Sequence, residues 1–214
     1  MKIYVVSGLG ADFSVLEKIK FPPHLQVEFI EWLIPEPRED FYHYVNRMAE
    51  HIDDREPFAL LGYSFGGLIV QEIDRIKKAE KVVIMGSIKS HKEKSRFIKF
   101  GELSRIPQYL PPTLFNIKSA RAYSFARKLI DPKNPKLLTY LKVTDPYYLK
   151  WGIEKVSAWK FEENPRVIQI LGTKDIVFPL KYSKPDYIVE GGTHLFPLTK
   201  HQQVSEILAE IFSR

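Results

Sequence analysis

Glycines flank a serine at residues 62–66, which read Gly-Tyr-Ser-Phe-Gly. The apolar run Phe58–Leu61 precedes this segment, and a helical pattern of apolar residues follows it from Leu68 onward. Such a turn strains the backbone of its central residue, and the glycines let strand and helix approach without collision. The spacing predicts that Ser64 stands out above a sheet as a nucleophile. The bare pattern also fits an ordinary glycine-rich turn with a solvated serine. A histidine base and an acid further along the chain are needed to distinguish a catalytic serine from such a turn.

His194 is the predicted base, one of six histidines in the chain. It lies just after the last predicted strand, in residues 191–194, which read Gly-Gly-Thr-His. Since the carboxyl ends of parallel strands share one sheet edge, this position brings the imidazole to the edge where Ser64 emerges. His91 lies elsewhere in the chain, and a contact between it and a substrate stays open.

Asp175 is the acid predicted to orient that imidazole and to stabilise its charged form. It follows a predicted strand in residues 172–175, which read Gly-Thr-Lys-Asp. Asp186 opens its strand at the opposite end, and Asp145 precedes a proline as a turn or helix-start residue. An Asx-turn role is the alternative for Asp175. The order serine, acid, histidine differs from the orders in chymotrypsin and subtilisin.

Two backbone N–H groups are predicted to hold the negative oxygen that forms when Ser64 attacks a carbonyl group. One belongs to Phe65, directly after the serine, and the other to Leu9, in the loop that follows the first predicted strand. A dinucleotide-binding turn is the competing prediction for that loop. It lacks the Gly-x-Gly-x-x-Gly spacing, because Phe13 occupies the third glycine position. No cofactor and no metal ion is expected.

Apolar runs of strand length alternate with helical patterns along the chain. The runs are rich in Val, Ile and Leu, which is typical of strands covered on both faces of a parallel sheet. The alternation predicts the α/β class, a three-layer αβα sandwich around a mostly parallel six-stranded sheet. Apolar stripes predict a helix through Phe41 and Ile52 and a last helix through Val204 and Phe212, opened by a capping box at Thr199-x-x-Gln202. The predicted strands are Lys2–Val6, Gln26–Ile30, Phe58–Gly62, Lys81–Met85, Arg166–Leu171 and Asp186–Val189.

One stretch interrupts the alternation and predicts a helical cap. Residues 1–214 are expected to form a single domain, with the cap inserted at about residues 87–150 and a helix over 147–159 leading back to the sheet. Prolines divide the stretch into short pieces, and its aromatic residues suggest an apolar acyl or aryl pocket, although they could also pack the cap on the core. These aromatic residues are Phe97, Phe100, Tyr109, Phe115, Tyr123, Phe125, Tyr140, Tyr147, Tyr148, Trp151 and Trp159.

Composition limits the remaining possibilities. The chain has no cysteine, so disulfides and thiolate chemistry are excluded, and a cytoplasmic location is expected. It contains no apolar run long enough for a membrane span, and no signal peptide is expected. Residues 86–150 hold 14 Lys and Arg against 4 Asp and Glu, which indicates a solvated surface or a rim attracting anions. Nucleic acid is not expected as a partner, because no binding motif accompanies this charge.

Together these motifs resemble the α/β-hydrolase superfamily over essentially the whole chain, and Ser7–Asp12 looks like the opening of small bacterial members. The resemblance implies the strand order 2-1-3-4-5-6, without the usual two N-terminal antiparallel strands, and a cap after the fourth strand. It also implies a cofactor-free serine hydrolase that cleaves a small-molecule ester or thioester through Ser64, His194, Asp175 and an acyl-enzyme intermediate.

Two features leave alternatives open. Many relatives carry His-Gly where this chain has Ser7-Gly8, so the hydrogen bonds that support the loop must differ. The superfamily also contains lyases, cofactor-free haloperoxidases and non-catalytic binding proteins, so the fold does not fix the reaction.

Overall fold

Six parallel strands form one sheet in the computed structural model, which describes residues 1–116, 118, 140 and 142–213. The strand order is β2-β1-β3-β4-β5-β6, with helices on both faces, which confirms the predicted α/β sandwich. Each observed strand bound lies within one residue of its prediction. The strands are β1 (Lys2–Val6), β2 (Gln26–Ile30), β3 (Phe58–Tyr63), β4 (Lys81–Met85), β5 (Val167–Gly172) and β6 (Tyr187–Val189).

α-Helices and short 3₁₀ helices connect these strands. None of the helices in the described part of the chain is long and apolar enough to cross a bilayer. The α-helices are α1 (Phe41–Ala49), α2 (Phe65–Ile76), α3 (Arg96–Ser104), α4 (Ile106–Tyr109), α5 (Pro146–Ala158), α6 (Phe196–Thr199) and α7 (His201–Phe212). Single 3₁₀ turns occupy Phe13–Leu16, His91–Glu93, Pro112–Leu114 and Leu180–Tyr182.

The sheet separates two apolar cores because successive side chains of a strand point to opposite faces. Along β1, Tyr4 and Val6 join the core beneath α1, α2 and α5, whereas Ile3 and Val5 join the core beneath α7. All six residues of β3 are buried. A strand covered on both faces is mostly apolar, which explains why continuous apolar runs located these strands closely.

Helix α5 occupies the predicted return from the cap to the sheet. The indole N–H of Trp151 donates to the carbonyl oxygen of Glu39 at 2.9 Å, and its ring packs on Tyr44 with 4.4 Å between centroids. These contacts fix α5 over α1 and beside the start of α2. Two of the aromatic residues assigned to the cap, Tyr123 and Phe125, lie outside the described residues, and the cap boundaries stay a prediction.

The predicted capping box before the last helix is wrong. Helix α7 begins at His201, and no side chain caps its first turn. Thr199 instead ends α6, and its hydroxyl donates to the carbonyl oxygen of Leu195 at 3.2 Å. Because Thr199 ends a separate short helix, which begins at Phe196 with Pro197 in its first turn, its hydroxyl is used within α6 and not by the helix that follows.

Glycines allow α2 to lie against the strands from which it emerges. A Cβ atom on Gly66 would stand 2.2 Å from the carbonyl oxygen of Val6 in β1. A Cβ on Gly62 would stand 2.4 Å from the carbonyl oxygen of Gly66. Both distances are far below van der Waals contact and involve backbone atoms, so no side-chain rotation could relieve them.

Replacing Gly66 by alanine is therefore expected to lower the free energy of unfolding by about 3 kcal/mol, since it overpacks a rigid contact. Gly101 is a matched control inside α3, where an added Cβ meets only Ser157 Oγ at 3.5 Å. Gly101→Ala should raise stability by roughly 0.5–1 kcal/mol through the better helix propensity of alanine. Urea denaturation of both variants measures the difference, and equal effects would contradict the close-approach argument.

Candidate functional site

Ser64 has the strained backbone that the sequence predicts for the centre of a tight turn. Its φ is 54° and its ψ is −118°, a region that residues with a Cβ atom rarely occupy. Its N–H donates to the carbonyl oxygen of Met85 at 2.9 Å, which ties the turn to β4. The serine thus sits between β3 and α2 at the carboxyl edge of the sheet.

His194 reaches this serine from the loop after β6. The hydroxyl oxygen of Ser64 lies 2.9 Å from His194 Nε2, and His194 Nδ1 lies 2.8 Å from Asp175 Oδ2. A carboxylate can only accept, so Nδ1 carries a hydrogen, and in the neutral imidazole Nε2 accepts from the serine hydroxyl. The structure therefore brings together all three side chains that the sequence selected, although 130 positions separate the first from the last.

Asp175 is held by its own turn after β5. Its Oδ1 atom accepts the backbone N–H groups of Val177 at 2.8 Å and Phe178 at 3.0 Å, and its side chain is completely buried. The Asx turn that was the alternative for this residue is thus present. It occupies one carboxylate oxygen and leaves the other for His194, so the two roles support each other.

Tyr63 holds the histidine loop, a role that the sequence did not indicate. Its hydroxyl donates to the carbonyl oxygen of His194 at 2.9 Å, and its ring lies 5.6 Å from the imidazole. Phe178 approaches the same imidazole, with 5.8 Å between ring centroids. Burial, reinforced by the negative charge of Asp175, raises the pKa of Tyr63 far above its usual range, so the hydroxyl stays a donor.

The amides of Leu9 and Phe65 belong to the two segments next to Ser64, and their oxyanion role stays a prediction. Phe65 is the first residue of α2, and Gly8 lies so close that a Cβ on it would stand 3.4 Å from Ser64 Cβ. Within the described part of the chain, neither amide donates to a protein oxygen. Free amides at a helix N-terminus attract negative charge, so this corner favours an anion.

The loop carrying Leu9 is fixed from several sides. The Ser7 hydroxyl donates to the carbonyl oxygen of Ala11, a hydrogen bond that a histidine at position 7 would not make in this way. The carbonyl oxygen of Gly10 accepts the N–H groups of Lys142 at 2.8 Å and Val143 at 3.0 Å. These two residues lead into α5, so the loop and that helix are hydrogen-bonded neighbours.

The other candidates serve structural roles. His91 Nδ1 lies 3.0 Å from the carbonyl oxygen of Phe161, in a contact between backbone and ring. Asp145 accepts the N–H of Tyr148 at 2.8 Å and caps α5, as its position before a proline predicted. Asp186 pairs with Lys89 at 2.8 Å, away from His194.

Among the described residues, a cluster of side chains is close enough to hold one cation. It consists of Glu36, Glu39 and His43. However, both carboxylate oxygens of Glu39 accept hydrogen bonds from Arg47, at 3.0 and 2.9 Å. Burial raises the pKa of Glu39, but the hydrogen bonds from its neighbours and from Arg47 outweigh burial and lower it overall. The guanidinium therefore already supplies the positive charge that a metal ion would bring.

Comparison with known proteins gives a fold likeness without a sequence likeness. No protein-family model and no curated protein matches the chain. An esterase from Thermogutta terrifontis superposes with a TM-score of 0.65 at 12% identity, covering 100% of this chain and 89% of the esterase. A hydrolase from Pseudomonas aeruginosa gives 0.68 at 13%, covering 100% and 90%. A candidate non-heme bromoperoxidase from Mycobacterium tuberculosis gives 0.67 at 15%, covering 99% and 91%.

Replacing Tyr63 by phenylalanine should remove one buried hydrogen bond and loosen the loop that carries His194. Stability is expected to fall by about 1 kcal/mol. Tyr44→Phe is a matched control, because the Tyr44 hydroxyl also donates to a backbone carbonyl, that of Leu33, at 2.9 Å. Hydrogen exchange should rise in residues 191–196 only for Tyr63→Phe. Equal exchange in the two variants would contradict the role of Tyr63.

Proposed function

We propose that this protein, which has the α/β-hydrolase fold, is a serine hydrolase that cleaves an ester or thioester of a small molecule. The observation that carries the proposal is the chain of hydrogen bonds from Ser64 through His194 to Asp175, with distances of 2.9 and 2.8 Å. A serine hydroxyl is a weak nucleophile until an oriented base takes its proton. This arrangement offers the base and its orienting acid together.

The reaction begins when His194 Nε2 takes the hydroxyl proton and Ser64 Oγ forms a bond to the substrate carbonyl carbon. The π electrons move to the carbonyl oxygen, and the N–H groups of Leu9 and Phe65 hold the resulting oxyanion. Asp175 stabilises the imidazolium. When the tetrahedral intermediate collapses, the alcohol or thiol leaves with the proton of His194, and an acyl-enzyme remains. Water then attacks the acyl-enzyme by the same sequence and releases the acid.

An apolar acyl or aryl group is the substrate feature that the surroundings favour. Half-buried apolar side chains stand beside the three segments of the site, namely Leu9, Val177 and Leu195. The described aromatic residues of α5 contribute less to such an apolar pocket than their number suggests, because Tyr148 and Trp151 are buried against the core. We also propose a cytoplasmic location and a cap at about residues 87–150, a stretch that lies partly outside the described residues.

A non-hydrolytic enzyme of the same fold is the second candidate. It is favoured by the structural likeness to a candidate bromoperoxidase, which is as strong as the likeness to the esterase. The two candidates differ in their intermediate. An acyl-enzyme gives a burst of p-nitrophenol from p-nitrophenyl esters, and turnover of another substrate without a burst would favour the second candidate. A binding protein without turnover would require neither His194 nor Asp175.

Ser64 is expected to react with a fluorophosphonate probe, which is a phosphorus electrophile attacked by activated serines. The wild-type protein should be labelled, and Ser64→Ala should not. Ser205 provides a control, because its hydroxyl donates to the carbonyl oxygen of His201 and accepts the N–H of Lys20, and within the described ranges it has no hydrogen bond to an imidazole or a carboxylate. Ser205→Ala should label like the wild type, as judged by intact-protein mass spectrometry. An unlabelled wild-type protein would refute the hydrolase proposal.

Replacing Asp175 by asparagine should lower kcat by about 10⁴ while changing KM little, because the amide cannot hold the imidazole in the required tautomer. Asp186→Asn is the control, since the Asp186 carboxylate directly precedes the neighbouring strand β6 and pairs with Lys89. Ester turnover measured on both variants separates the two. A comparable loss of kcat in both would show that general destabilisation, not tautomer control, explains the effect.

A further inference from the structure

The indole N–H of Trp32 points at three oxygens of the loop that carries Leu9. Its Nε1 atom lies 3.0 Å from the carbonyl oxygen of Gly8, 3.0 Å from that of Ala11 and 3.2 Å from the hydroxyl oxygen of Ser7. Trp32 is 9% exposed, so water contributes little to these groups. The one indole hydrogen therefore lies among three acceptors of this loop, two of which, Ser7 Oγ and the Ala11 carbonyl oxygen, are also joined by the hydrogen bond of the Ser7 hydroxyl.

The peptide group between Gly8 and Leu9 carries this constraint to the amide of interest. The carbonyl oxygen of Gly8 and the N–H of Leu9 belong to one planar trans unit, and they point in opposite directions. Two donors hold that carbonyl: the indole of Trp32 at 3.0 Å and the N–H of Ala11 at 2.9 Å. Fixing the carbonyl on one side fixes the direction of the Leu9 N–H on the other.

Trp32 also contacts the second amide donor through its ring. The indole stacks on Phe65, with 5.4 Å between centroids and 15° between planes. It lies 5.8 Å from the ring of Tyr148, whose hydroxyl accepts the N–H of Gly10 at 3.4 Å. One side chain thus touches the residues on both sides of the corner where an oxyanion would lie.

We propose that Trp32 is a positioning residue that orients the Leu9 amide, and aligns it with the Phe65 amide, for an oxyanion. The proposal deepens the hydrolase assignment and rests on it. Trp32 touches no reacting atom. It acts through the Gly8–Leu9 peptide plane, and its effect belongs to the transition state, where the carbonyl oxygen carries its full charge.

Trp32→Phe removes the indole N–H and keeps an aromatic ring against Phe65. Loss of a whole oxyanion donor costs roughly 10²–10³ in kcat, so misorientation of one donor should lower kcat by about 10–100-fold. KM should stay within about twofold, because the ground-state carbonyl depends little on these amides. Binding of a phenylboronic acid, which forms a tetrahedral anionic adduct with the serine, should weaken by about the same factor as kcat.

Trp159→Phe is the matched control. Trp159 is 4% exposed, donates its indole N–H to Glu72 Oε1 at 2.8 Å, and stacks on Phe161 with 5.1 Å between centroids. Trp159→Phe loses an indole hydrogen bond, in this case to a carboxylate, and alters a stacked aromatic pair away from the oxyanion corner. Similar destabilisation in both variants, with loss of kcat and of boronate binding only in Trp32→Phe, is the expected result. Unchanged kcat in Trp32→Phe, or an equal loss in Trp159→Phe, overturns the proposal.

Two additional measurements keep the outcome decisive. If Trp32→Phe does not fold, β-(benzothienyl)alanine at position 32 keeps the bicyclic ring and lacks only the N–H, and the same losses are expected. Hydrogen exchange of residues 7–12 should rise in the Trp32 variants and not in Trp159→Phe.

A wild-type protein without esterase turnover or probe labelling would refute the hydrolase proposal itself. An active wild type with unchanged Trp32 variants would refute only the role of Trp32.

Discussion

The close approach of α2 to β1 is the constraint on which the site depends. It exists only because positions 62 and 66 lack a Cβ atom, whose nearest backbone neighbours would otherwise stand at 2.4 and 2.2 Å. Within this contact Ser64 adopts a backbone conformation that costs about 1–3 kcal/mol. The packing of the sheet offsets this conformational energy, since β3 is buried along its whole length. The half-buried hydroxyl of Ser64 and the Phe65 amide, which donates to no oxygen of the described residues, both follow from this single turn.

Parallel strand direction then collects the remaining groups. Loops that follow β1, β5 and β6 bring Leu9, Asp175 and His194 to one sheet edge, and the segment after β2 brings Trp32. The groups are therefore distant in the chain and adjacent in space. Neighbouring residues, not extra elements, hold them in place: an Asx turn for the acid, a tyrosine hydroxyl for the histidine loop and an indole N–H for the amide loop.

The fold and the three polar side chains could be read from the sequence for a physical reason. Strands β1, β3 and β4 are buried along almost their whole length and are mostly apolar, so their bounds are visible as continuous runs. Gly-x-Ser-x-Gly marks a turn that few other residues could make. Tyr63 and Trp32 could not be found in this way, because a buried aromatic side chain looks the same in the sequence whether or not its polar atom holds a loop. The capping box at Thr199 was wrong because local spacing does not reveal that a separate short helix, with Pro197 in its first turn, ends at Thr199.

The hydrogen bonds between Gly10 and the residues before α5 limit how this molecule could be re-engineered. The Gly10 carbonyl accepts two amides from Lys142 and Val143, and its N–H donates to Tyr148. A chimera that exchanged the segment entering α5 for that of another protein would remove these partners from the loop that follows β1. Residues 142–148 therefore cannot be exchanged independently of the loop that contains Gly10. A replacement segment would have to supply its own N–H donors to the Gly10 carbonyl oxygen.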